Sequence, residues 1–314
     1  MTEEKFYSPL KIGLFIVVLS YFLFTLHATF TLSWIGEWNR SGSFSFDIFA
    51  EDISGFIGLI FRFAASIIAL STIIFYFAKK NLSKPTAYKI LRWILVFEAI
   101  YWLGLLTTSV VSVQSLVQMG LDNAQIMSLL RSMALGAIPL LVESIVLPIS
   151  LFILASKLNT SKPAQKAIKW GLITGTIYII VFWLTNTSMW FITLIYEKGN
   201  GYLTAYPQNM LSFILTTFGL LALTIYTAYF SKKSSGAKSL QELKLKTIGA
   251  IILALGMYFL WNYLTWIFFG GNYIWSDWYA WFLGHNLDLW MLSLPLLGLP
   301  LLFTNNSREE NSSP

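Results

Sequence analysis

The chain has 314 residues and a net charge of +6, is 56% hydrophobic but only 11% charged, and has a mean hydropathy of +0.65. A water-soluble domain carries about a quarter charged residues, so most of this surface faces something other than water. Without cysteine, disulfides, thiolate metal sites and cysteine nucleophiles are excluded. The positive balance does not mark a nucleic-acid binder, because the basic residues fall in short clusters between apolar runs.

Crossing a bilayer takes about 20 apolar residues. Runs of that order occur at 12–34, 54–78, 93–114, 134–156, 170–194, 209–230, 247–269 and 281–303. Helices are expected, since a spanning segment must satisfy its own backbone polar groups. The short alternating segments of a β-barrel are missing.

Span one follows a charged start, yet it is long and lacks a small-residue cleavage site, which predicts a retained helix instead of a signal peptide. It carries His27, and span two carries Arg62. The loop after span two reads SKPTAYKILRW at 83–93. Glu98 follows Arg92 closely and is therefore expected to reach the inner interface. Between spans three and four, DNAQ at 122–125 has the form of an N-cap with Gln three residues on, predicting a short helix that carries Arg131.

Span four holds Pro139, Glu143 and Pro148, and the loop after it, SKPAQKAIKW at 161–170, repeats the Ser-Lys-Pro, lysine, basic-Trp pattern of the earlier one. Spans three, five and seven begin at 93, 170 and 247, an equal spacing that suggests a helical hairpin repeated four times. Asn186 lies in span five and Asn262 in span seven. Before span eight, the aromatic segment NYIWSDWYAWF suits an interfacial belt of Trp and Tyr. Span eight contains His285, Asp288, Pro295 and Pro300.

Basic residues choose the sides. Seventeen lysines and arginines fall at the termini and in the loops after even-numbered spans, against three (Arg40, Arg131 and Lys198) in the opposite loops. By the positive-inside rule both termini are cytoplasmic. The expected fold is an all-α polytopic membrane bundle of eight transmembrane helices over 12–303, with cytoplasmic tails at 1–11 and 304–314.

Polar groups at membrane depth are functional candidates by default. Depth can be measured along each helix from the nearest inner landmark. That landmark is Lys11 for His27, Lys169 for Asn186, Lys246 for Asn262, Lys79 for Arg62 and Asn305 for Asp288. At about 1.5 Å per residue these groups form one layer, roughly 24–26 Å from the inner side. Glu143 sits slightly deeper and His285 slightly nearer the outside. The layer suggests an outward-opening pocket lined by Arg62, Glu143, Asn186, Asn262 and Asp288, with Asp288 or Glu143 as counter-ion to Arg62. The same groups equally fit a purely structural role that locks helices together. Asp288, three residues after His285, shares its helix face and can hydrogen-bond it.

The stretch WFLGHNLDLWMLSLP at 281–295 resembles one helix of the heme–copper oxidase catalytic subunit, in which Trp-Phe-Phe-Gly-His-Pro-Glu-Val-Tyr is followed by aliphatics and Leu-Pro. Trp281, Phe282, Gly284 and His285 match directly; with one residue inserted, Asp288 replaces Glu, Trp290 replaces Tyr, and Leu294-Pro295 matches Leu-Pro. The resemblance implies that His285 is a metal ligand, as its counterpart binds copper in the family. That family needs six histidines and this chain has two, so a working oxygen-reducing centre is excluded. A degenerate relative or an accessory subunit is what the resemblance leaves. Independently of it, imidazoles from two helices are a common way to hold heme or a transition metal, which makes His27 and His285 candidate ligands.

No phosphate-binding loop, dinucleotide fingerprint or zinc-protease motif occurs, and no span interior carries a lysine for retinal. The first expectation for function is a non-catalytic membrane subunit or binding protein, attached to a redox complex and in contact with lipid and other membrane subunits. The rivals are a secondary transporter using the polar layer and a membrane enzyme acting on a lipid or quinone-like substrate. Prolines in spans four and eight, beside Glu143 and Asp288, favour transport.

Overall fold

A computed structural model describes residues 3–30, 46–79, 84–118, 142–158, 163–192, 194, 207–236, 245–269 and 293–302. Among these residues the chain is helical apart from short turns, with no strand. We label the helices α1 (Glu3–Phe30), α2 (Phe46–Lys79), α3 (Lys84–Gln118), α4 (142–157) and α5 (Pro163–Ile192). Helix α6 runs from Pro207–Ile214 through a π-helical segment, Leu215–Gly219, into Leu220–Ser234. Helices α7 (Leu245–Phe269) and α8 (Leu294–Leu302) follow. Each of the eight apolar runs overlaps one of these helices in order.

The repeated Ser-Lys-Pro is a helix start. Helix α3 begins at Lys84 with Pro85 second, and α5 begins at Pro163. Proline is favoured there because its missing N–H would have had no partner in the first turn and its φ is already helical. Both helices therefore begin well before their apolar stretches at 93 and 170.

Among the described residues three helices are long and apolar enough to cross a membrane, over Phe56–Ala78, Gln165–Ser188 and Gln208–Ser234. Shorter apolar stretches cover Lys11–Leu26 and Leu245–Trp261. Helix α6 shows how these surfaces are arranged. It buries Ser212, Thr216, Thr224, Thr227 and Ser231, while Phe218 (60%), Ile225 (62%) and Tyr229 (61%) are exposed. A water-soluble helix does the reverse, turning its apolar stripe inward. Helix α2 repeats the pattern, with Arg62 and Ser66 buried and Ile57, Ile60, Ile67 and Ile74 outside.

Several of the hydroxyls turned inward are satisfied locally, although Thr224 Oγ1 is buried without a hydrogen bond among the described residues. Thr227 Oγ1 donates to the carbonyl of Leu223 at 2.7 Å, Thr176 Oγ1 to that of Leu172 at 2.8 Å, and Ser66 Oγ to that of Phe63 at 2.7 Å. Each stays within its own helix, so these residues can be buried without a partner across the interface.

The chain divides into two compact units. The first comprises Met1–Phe24 and Ser239–Pro314, and the second Thr25–Lys238. In the first, α7 and α8 meet backbone to backbone. A Cβ on Gly249 would lie 2.8 Å from the carbonyl oxygen of Gly298, and one on Gly298 would lie 2.8 Å from the amide nitrogen of Leu253. Gly256 receives Pro295, whose ring carbon would sit 2.5 Å from an added Cβ. Gly13 on α1 similarly faces the carbonyl of Leu296, at 2.7 Å. Small residues are what permit such approach where apolar surroundings provide no hydrophobic drive between helices.

Candidate functional site

In the second unit, α2 and α3 are antiparallel neighbours joined by a short connection after Lys79. Their register is set at Gly58, where a Cβ would stand 3.1 Å from the carbonyl oxygen of Tyr101 and 3.5 Å from the Cα of Gly104. One turn further along α2, the ring of Phe61 meets Phe97 edge-on at 5.4 Å. That same turn delivers Arg62 to Glu98, with Nε 3.5 Å from Oε1. The guanidinium also lies over the ring of Tyr101, 4.1 Å from its centroid. The Arg62 side chain is only 7% exposed and that of Glu98 16%.

Among the described residues the counter-ion of Arg62 is Glu98 and not Glu143, while Asp288 lies outside them. The expectation that Glu98 reaches the inner interface is corrected. It measured depth from Arg92, but α3 begins at Lys84, so Lys89 and Arg92 ride on the helix itself. At about 1.5 Å per residue, Glu98 lies roughly 21 Å along α3 from Lys84, and Arg62 roughly 26 Å along α2 from Lys79. The two depths are close enough for long side chains to meet.

Two further helices contribute. Trp102, next to Tyr101 on α3, packs edge-on against Tyr178 of α5 at 6.2 Å. Tyr178 lies in the electrostatic field of Arg62, Glu98, Tyr101 and Glu143, the last on α4. The site therefore draws Arg62, Glu98, Tyr101, Trp102, Glu143 and Tyr178 from four helices. Within it, the indole N–H of Trp102 and Oε1 of Glu98 are buried without a hydrogen bond among the described residues. Such orphaned groups are uncommon in native structures because each costs desolvation free energy.

Glu143 lies near the start of α4, which is continuous over 142–157 but contains a proline. Pro148, fully buried in α4, has no N–H to offer the carbonyl of Ser144, four residues back. Glu143 is half-buried and makes no ion pair or hydrogen bond among the described residues.

On the neighbouring helices, Trp183 Nε1 of α5 donates to the carbonyl of Thr217, inside the π-helical segment of α6, at 3.0 Å. A π turn takes in one extra residue and loosens the usual carbonyl pairing, and such turns are frequent at functional sites. Asn186 spends its amide on its own helix, with Nδ2 donating to the carbonyl of Phe182 at 2.8 Å.

Of the residues expected to form the polar layer, Arg62 and Glu143 enter this cluster and Asn186 is placed on α5. Asn262 falls on α7 and His27 on α1, but their side chains lie outside the described residues, as do His285, Asp288, Arg131 and Pro139. The stretch 281–292 that carries the resemblance to an oxidase helix lies outside them too. Among the described residues no group of three or more potential metal ligands gathers. Tyr101, Trp102 and Tyr178 were not anticipated from sequence, because aromatic residues this abundant give no signal until a buried charge stands beside them. No known family, characterised protein or solved structure matches this chain.

Proposed function

We propose that this chain is a polytopic membrane protein that crosses the bilayer eight times with both termini cytoplasmic, and that its four-helix cluster is a non-catalytic binding site inside the membrane. The observation that carries the reading is the Arg62–Glu98 pair on Tyr101. Burying two charges costs several kcal/mol each, and an apolar pair of similar volume is often as stable or more so. Charges kept at membrane depth are therefore functional by default. Unused hydrogen-bonding capacity on Trp102 and Glu98 supports a bound species there. The inside-out surfaces of α2 and α6 and the distribution of basic residues support the crossings.

Two measurements test this. Reporter tags at 83, 161 and 236 should be cytoplasmic and tags at 42 and 199 external; an inner loop found outside overturns the eight-span topology. For the site, native mass spectrometry of protein released from membranes should show a retained small molecule or subunit. It should vanish in the paired variant Arg62→Leu/Glu98→Leu, which leaves no charge unpaired between those two residues. A protein that carries nothing in either form refutes the binding reading.

Transport is the second reading, and Pro148 on the helix of Glu143 is what favours it, since proline within a hydrophobic span is a pointer to the binding sites of transporters. Substrate-free proteoliposomes loaded with a pH-sensitive dye would separate a carrier from a static binder.

A further inference from the structure

We infer that Glu143 is a proton-binding site: its carboxylate takes up a proton at one oxygen, releases it again to water, and is the exchangeable group of the cluster. The inference rests on the membrane reading above. It begins with the unequal fate of two carboxyls in one cluster. Glu98 has Arg62 at 3.5 Å, and that cation is itself held on Tyr101. Glu143 makes no ion pair and accepts no hydrogen bond among the described residues. Yet at about 1.5 Å per residue it lies roughly 21 Å along α4 from the inner charge of Lys157.

An isolated carboxylate in such surroundings neutralises itself instead of bearing the cost of the charge. A metal ion would need several oxygen ligands, and among the described residues no group of three or more ligating side chains is available. A proton needs only the carboxyl.

The surroundings also make release feasible. The ionisable groups around Tyr178 are Arg62 from α2, Glu98 and Tyr101 from α3, Glu143 from α4, and Tyr178 itself from α5. Arg62 is the one cation of that set, and it pairs with Glu98 at 3.5 Å. Glu143 is half-buried and not enclosed, which leaves its carboxyl open to exchange.

The experiment is difference infrared spectroscopy of the full chain in lipid nanodiscs, following the carbonyl stretch of a protonated carboxyl above the amide band. The wild-type protein should show one such band near neutral pH. It should shift on transfer to heavy water, fade reversibly as pH rises, and be lost completely in Glu143→Gln. No band, a band unchanged in Glu143→Gln, or a band that neither exchanges nor titrates would each overturn the proposal. The last of these would make Glu143 a permanently neutral structural acid. Incorporation into the nanodisc is scored separately. A chain that stays in solution refutes the membrane reading, whereas an incorporated chain lacking the band refutes the proton site alone.

Discussion

The two compact units hold their helices together by opposite means. In the first, Gly249, Gly256 and Gly298 strip side chains from the contact so that α7 and α8 touch through their backbones. In the second, α2 and α3 share one close point at Gly58 and then part around a charged pair, while α5 and α6 are tied by an indole-to-carbonyl bond. Backbone contact leaves almost no adjustable parts. Buried polar contacts rigidify a region only when every member is satisfied. In the second unit, Trp102 Nε1 and Glu98 Oε1 have no hydrogen bond among the described residues. The contrast places stiffness in the first unit and adaptability in the second.

Substitutions can break or sharpen that contrast. The largest loss is expected from Arg62→Leu, which strands Glu98 and should cost about 3–5 kcal/mol of stability. Replacing both partners should cost less than the sum of the singles. Thermal unfolding of the four proteins of this cycle checks it, and additive losses would mean that the 3.5 Å contact is not energetically real.

Gly298→Ala comes next. Its new Cβ meets the backbone of α7, which cannot move aside as a flexible side chain would, so roughly 1–3 kcal/mol should be lost. A neutral result would remove the claim of stiffness for the first unit. Trp183→Phe keeps the ring but deletes the donor to Thr217, at a cost of about 1 kcal/mol. Amide hydrogen exchange should also speed up around Leu215–Gly219; unchanged exchange would show that the indole does not restrain the π turn.

The smallest effect has the opposite sign. Gly171 and Gly175 on α5 face open space, so Gly→Ala at each should stabilise by about 0.5–1 kcal/mol through helix propensity alone. A loss there as large as that of Gly298→Ala would show that glycine content, and not contact, governs stability.

How far the sequence could be read depended on which force set each feature. Apolar run length marked the position of each described helix, because hydropathy is a local property. It missed where α3 and α5 begin, since Lys84 and Pro163 open polar first turns that no hydropathy window registers. That boundary error then hid the Arg62–Glu98 pair, as depth counted from Arg92 put Glu98 at the wrong level. The close contacts at Gly58 and Gly298 depend on which helix lies opposite, and one glycine in an apolar run does not say. Nothing in LTTFG announces a π turn.

That turn sets the phase of everything after it. In an unbroken α-helix each residue advances about 100°, and on that count Thr224, Thr227 and Ser231 would drift away from the face of Ser212 and Thr216. One extra residue taken up between Leu215 and Gly219 cancels the drift, and all five are buried together. Helix α6 therefore contains a spare letter. Deleting Phe218 should let the segment relax to ordinary α-helix with both halves of its hydroxyl stripe still aligned. Deleting Ile225, beyond the turn, should swing Thr227 and Ser231 away from Thr224 whether or not the turn relaxes, and unfold the protein.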